Sequence, residues 1–152
     1  MFIGAFPYTI TDSNDNTSNS RRIVMVPRFR SELGSEFQIF LRDEGCLRLY
    51  TNDRWDIYAE NMSNRLEAAE MGMADAEDPD DILAEAYSFF GNVYDGKMDK
   101  QGRISLTAQM LQHANIEDEL VIVGMNRFIE IWNPEAWAKA KAKKIEKKKQ
   151  MN

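Results

Sequence analysis

The chain of 152 residues has one cysteine, Cys46, and one histidine, His113. A disulfide framework needs two thiols and a zinc site needs three or four His and Cys ligands, so the sequence offers neither. Nucleophile, base and orienting group cannot be assembled from what remains, and no set of metal ligands can either, so an enzyme is not expected. No apolar run approaches the roughly 20 residues of a membrane span. The opening MFIGAFPYTITD lacks a basic leader and a long apolar core, and the expected compartment is therefore the cytoplasm. Asp12, Asn14 and Asn16 imitate the start of a calcium loop, but Thr17 stands where that loop needs glycine and Ile23 where it needs glutamate.

The chain does have charge, unevenly spread. Lys and Arg number 19 against 25 Asp and Glu, a formal charge of −6, with 43% hydrophobic residues, which fits one ordinary globular domain. A net acidic chain argues against nucleic acid, because phosphate affinity comes from Lys and Arg. Counted by segment, the objection weakens. Arg65 to Ser88 carries −7, Ala138 to Asn152 carries +6, and the first thirty residues, with Arg21, Arg22, Arg28 and Arg30, carry +2. The acidity lies mid-chain and the two ends are basic. The Lys-rich end reads equally as a solvated helix terminus or as a functional tail.

Local patterns place the elements. Trp55, Tyr58, Met62 and Leu66 recur at helical spacing. Asp78-Pro79-Asp80-Asp81 and Asn133-Pro134-Glu135 are helix starts, with a capping side chain followed by proline in the first turn. The first of these helices should carry Ile82, Leu83, Ala86, Phe89 and Phe90 on one side. Phe37, Ile39 and Leu41 alternate as a strand, as do Cys46 or Leu47 with Leu49, and Leu120 to Val123 and Phe128 to Trp132 are rich in β-branched and aromatic residues. Asp43-Glu44-Gly45 and Gly124-Met125-Asn126 are the expected hairpin turns. His113 is expected on a short helix as a surface or half-buried residue, and Cys46 in a strand, in the core. The nine methionines and sixteen aromatic residues read as core and subunit interface.

The two halves overlay. Arg22-Ile23 matches Arg103-Ile104 at an offset of 81, with Phe29 on Met110 and Leu33 on Ala114. Leu49-Tyr50 matches Ile131-Trp132, and Trp55 matches Trp137, at an offset of 82. Such a repeat predicts a pseudo-twofold molecule whose basic loops face the same way. The loop that carries chemistry is Asp99-Lys100-Gln101-Gly102-Arg103. Asp99 can close a side-chain turn, Gly102 can take a positive φ, and Lys100 and Arg103 are then held at a rigid tip, where they can meet phosphate and guanine.

In its second half, DKQGRISLTAQMLQHANI followed by ELVIVGMNRFIEIW, and in CLRLYTNDRW and MFIGAF of the first, the chain resembles the MraZ family of bacterial transcriptional regulators. The resemblance implies an α+β fold, a double swapped-hairpin AbrB-like β-barrel with peripheral helices, holding two repeats in one domain. The repeats are expected at 5–52 and 91–134, with connecting helices at 53–90 and a C-terminal helix and Lys-rich tail at 135–152. It further implies a DNA-binding regulator, a repressor at direct repeats of promoter DNA upstream of its own operon in the division and cell-wall gene cluster. The protein would work as a ring-shaped homo-oligomer at the nucleoid, with no cofactor, no membrane partner and no small-molecule substrate. Arg103, Lys100, Arg22 and Arg21 are the expected DNA-binding residues, and Asp99, Gly102 and Asp12 the loop-shaping ones. The first repeat departs from the pattern: Asp12 and Arg22 stand ten apart instead of four, and Arg21 replaces the glycine. That leaves a longer DNA-contacting loop or one that has lost its role, and with the second an alternative function, an oligomeric protein-interaction module of the same fold.

Overall fold

The computed structural model describes residues 1–11 and 19–151. In chain order the elements are β1 (Phe2–Thr9), β2 (Arg21–Val24), α1 (Pro27–Leu33), β3 (Glu36–Leu41), β4 (Leu47–Thr51), α2 (Asn52–Glu70) and α3 (Pro79–Gly91). They continue with β5 (Val93–Lys97), β6 (Arg103–Leu106), α4 (Ala108–His113), β7 (Glu119–Asn126), β8 (Ile129–Trp132) and α5 (Pro134–Gln150). Six strands form one antiparallel sheet in the order β1-β7-β8-β4-β3-β5, and β2 pairs only with β6 in a separate ribbon. The class is α+β, as the resemblance implies. The six-strand ladder is open, ending at β1 and β5, and no closed barrel forms among the described residues.

Strand pairing runs across the two halves of the chain. In the ribbon Ile23 lies opposite Ile104, and in the sheet Arg48 lies opposite Glu130. These are the residues that the overlay of the halves superimposes, so each pair straddles a local twofold axis. Neither half could complete these ladders alone, since strands of four or five residues need partners on a buried face.

Alternation then sorts the side chains into layers. One sheet face presents Phe37, Ile39, Leu47, Leu49, Leu120, Ile122, Ile129 and Ile131, which pack on Ile23, Ile104 and Leu106 of the ribbon and on Phe29, Leu33, Met110 and Leu111 of α1 and α4. The other face is covered by helices. Val121, Val123, Cys46 and Trp132 meet Ala136, Trp137 and Ala140 of α5. On the first-half side, Phe40 and Tyr50 meet Phe89, Trp55 and Tyr58, with Trp55 stacked on Phe89 at 4.6 Å. Helices α2 and α3 close on each other through Met62, Ala69, Ile82 and Ala86.

The helix starts are where local chemistry puts them. The Asp78 side chain accepts from the amides of Asp80 and Asp81, and Asn133 from that of Ala136. Three expectations shift. The second hairpin turn lies at Asn126–Phe128 instead of 124–126: the Met125 amide donates to the Phe128 carbonyl and Asn126 takes φ 71°. Gly124 is required for another reason, because a Cβ there would come within 2.6 Å of the β1 backbone at Phe2 and Ile3. Phe90 stays 41% exposed, off the face that α3 buries.

Glu130 is the buried charged residue of the described core. Its carboxylate accepts from Arg48 Nη2 at 2.7 Å, Arg48 Nε and Arg42 Nη1 at 2.9 Å, and Trp132 Nε1 at 3.0 Å. Arg48 in turn lies 3.8 Å over the Phe128 ring. Removing Glu130 leaves two mostly buried guanidinium groups without their shared carboxylate, so Glu130→Ala is expected to cost about 3–5 kcal/mol. The check is the denaturant midpoint; a change below about 1 kcal/mol would contradict it.

Candidate nucleic-acid interface

Period-two alternation decides what the ribbon shows to solvent. Ile23 and Ile104 point into the core, so their neighbours Arg22, Val24, Arg103 and Ser105 point outward. Arg22 sits opposite Ser105 and Arg103 opposite Val24, which puts the two arginines on one outer face, diagonal about the local axis. Arg21 shares the inward side with Leu106. Its Nη1 donates to the Glu117 carbonyl and pairs with Asp118 at 2.7 Å, leaving the side chain 15% exposed. The doubled arginine is therefore split by the pleat: Arg22 is exposed and Arg21 ties β2 to the residues leading into β7.

The turn before β6 is built by Asp99. Its Oδ1 accepts from the amides of Gln101 and Arg103, both at 2.9 Å, and its Oδ2 pairs with Arg103 Nε at 2.7 Å. The Gly102 amide closes the turn onto the Asp99 carbonyl at 3.0 Å. Lys100 is exposed at the tip. The two Nη nitrogens of Arg103 have no partner among the described residues, so the Asp99 pair orients the guanidinium by one edge and leaves the fork that suits phosphate or guanine. The flanking strands pair elsewhere. Apart from the Met98–Ile104 bridge, β5 joins β3 and β6 crosses to β2, so the turn delivers Arg103 to the ribbon.

Gly102 is constrained twice. It takes φ 82°, and a Cβ would come within 2.3 Å of Arg30 Nε. Arg30 donates from that nitrogen to the Met25 carbonyl, while the Met25 amide donates to the Gly102 carbonyl. A cation of the first half thus packs on the turn of the second, a residue the motif alone does not single out. Arg28 is exposed nearby on α1. Between Ile10 and Ile23 lie seven more residues than between the corresponding Met98 and Ile104, whose amide partners Asp118 and Ser35 also correspond. The expected shaping residue Asp12 and the calcium-like stretch up to Thr17 lie outside the described residues.

Of the other candidates, His113 is half-buried with Nε2 2.6 Å from the Arg42 carbonyl oxygen. Cys46 is buried, and burial, with the Glu130 charge second, pushes its thiol up to about 12. No helix among the described residues is long and apolar enough to cross a membrane.

Residues 89–151, which include the turn and β6, match the family described as "MraZ protein, putative antitoxin-like". Over 139 residues the chain is 30% identical to the transcriptional regulator MraZ of Alkaliphilus oremlandii, covering 91% of this chain and 85% of that protein. It is 31% identical, over the same shares, to the transcriptional regulator MraZ of Heliobacterium modesticaldum. The chain belongs to the MraZ family. The match to these relatives covers 91% of the chain and so takes in both halves.

Two tests follow from the turn. The Asp99 carboxyl is held below the ordinary aspartate value by the hydrogen bond from the Arg103 amide, then by that from its guanidinium. With the folded value below the unfolded one, the stabilisation is complete above the unfolded value and is lost as pH falls through the folded one. An NMR titration should place the Asp99 carboxyl midpoint below that of the unfolded chain; an equal or higher midpoint would refute the turn geometry. Gly102→Ala should cost about 1–2 kcal/mol from the positive φ alone, read from thermal unfolding.

Proposed function

We propose that this MraZ-family chain is a transcriptional regulator that binds double-stranded DNA through the outer face of the β2–β6 ribbon. The observation that carries the reading is the placement of Arg22 and Arg103 on one outward face about a local twofold axis, with Lys100 at the adjoining tip. In this reading Arg103 and Arg22 supply guanidinium contacts and Lys100 a phosphate contact. Arg21 supports the strand from beneath. Asp99 and Gly102 shape the second loop and Asp12 the first.

The chain is one domain of two AbrB-like repeats, 5–52 and 91–134, in a double swapped-hairpin arrangement; the Ile23–Ile104 and Arg48–Glu130 pairings support it. It assembles as a ring-shaped homo-oligomer and acts in the cytoplasm at the nucleoid, as a repressor at direct repeats upstream of its own division and cell-wall operon. A few cations per subunit give weak contacts, and several subunits on repeated sites multiply them. The alternative, an interaction module that has lost DNA, draws on the acids beside the ribbon, Asp118 at Arg21 and Asp99 at Arg103.

Arg103→Ala is expected to abolish the gel shift of DNA from upstream of the gene while leaving the native mass unchanged; undiminished binding would refute the reading and favour the module. The affinity should also fall steeply with salt. With about four to six phosphates neutralised by two engaged subunits, the log–log slope should be about −4 to −5. A flat response would place the basic ribbon off the phosphate backbone.

A further inference from the structure

Helix α5 outruns the body it packs on. Its sheet contacts are Ala136, Trp137 and Ala140, and every residue from 141 to 150 is exposed, about 15 Å of helix at 1.5 Å per residue. From Lys139 onward it carries seven lysines against one glutamate, and Ile145 is 47% exposed among them. No ion pair among the described residues joins these lysines to an acid. The complementary surface is on the same chain. All eight acids between Glu67 and Glu85 on the α2–α3 hairpin are exposed, and the base there, Arg65, is taken by Glu77 and Glu85. Met71 and Met73, at the bend of that hairpin, are exposed as well.

We infer that the Lys-rich half of α5 docks onto the acidic α2–α3 hairpin of a neighbouring copy of the chain. Both surfaces lie on the sheet face turned away from the ribbon, because α5 covers Val121, Val123 and Trp132 while α2 and α3 cover Tyr50 and Phe40. If all ribbons in an assembly face DNA, every tail and every hairpin lies in the opposite layer, where a tail can meet the next hairpin. The segment charges of +6 and −7 then nearly cancel, and Ile145 can cover Met71 or Met73. The contact is heterologous, tail to hairpin, which is the kind that closes rings. It deepens the proposed assembly and rests on it.

The test uses full-length protein and sedimentation velocity over a concentration series. Lys143→Glu with Lys147→Glu, and separately Glu67→Lys with Glu70→Lys, should each weaken self-association by about tenfold at low salt. All four together should restore it, which a merely unfolded variant could not do. Both reversed pairs assembling like the parent overturns the docking and leaves the ring standing, and no recovery in the combination overturns the docking. A tail variant that keeps its mass but loses promoter DNA overturns it in favour of a DNA-contacting tail. A parent chain that sediments as a monomer throughout removes the assembly and the docking together.

Discussion

Ile23 against Ile104 is the contact on which the other features depend. Two four-residue strands, each too short to persist alone, complete one another across the chain, and their inner side chains close the core between ribbon and sheet. The same pairing fixes what the ribbon shows to solvent. A slip of one residue would turn Arg22 and Arg103 into the core and bring Ile23 and Ile104 to the surface, so burial of two isoleucines also enforces exposure of two arginines. The twofold relation between the two arginines is likewise a property of this register, since corresponding residues of the two halves sit face to face in it.

The second axial pair works by different physics. Arg48 and Glu130 occupy corresponding positions but carry opposite charges, and with Arg42 and Trp132 they form a hydrogen-bonded network in the seam between α2 and α5. A symmetric pair of arginines there would repel, and a pair of glutamates would be unpaired in a buried setting. The halves therefore differ where the axis crosses the charged layer and agree where it crosses the apolar one. Charge is segregated in the same sense across the molecule: cations on the outer ribbon, a compensated pair in the seam, and acids with the lysine tail in the helical layer.

Much of this was legible because it is local. Asp78 and Asn133 announce their helices through the amides they cap, and the Asp99 turn follows from a carboxylate four residues before an arginine with a glycine between. The repeat was legible because aliphatic positions recur at a fixed offset. What escaped depends on tertiary pairing. Gly124 looked like a turn residue, but the close passage of β1 excludes a side chain there, and Asn126 takes the positive φ. Arg21 and Arg22 looked like one basic unit until the pleat divided them. Arg30 over Gly102 has no sequence signal, while Glu130 had one, an acid overlaid on Arg48.

In the proposed function the ribbon, and not the helical layer, meets DNA. Backbone amide shifts recorded while duplex DNA from upstream of the gene is added test it most directly, residue by residue. Perturbations are expected at 21–24 and 99–105, with 52–91 and 134–151 unchanged. Shifts confined to the helices or the lysine tail, with the ribbon silent, would contradict it.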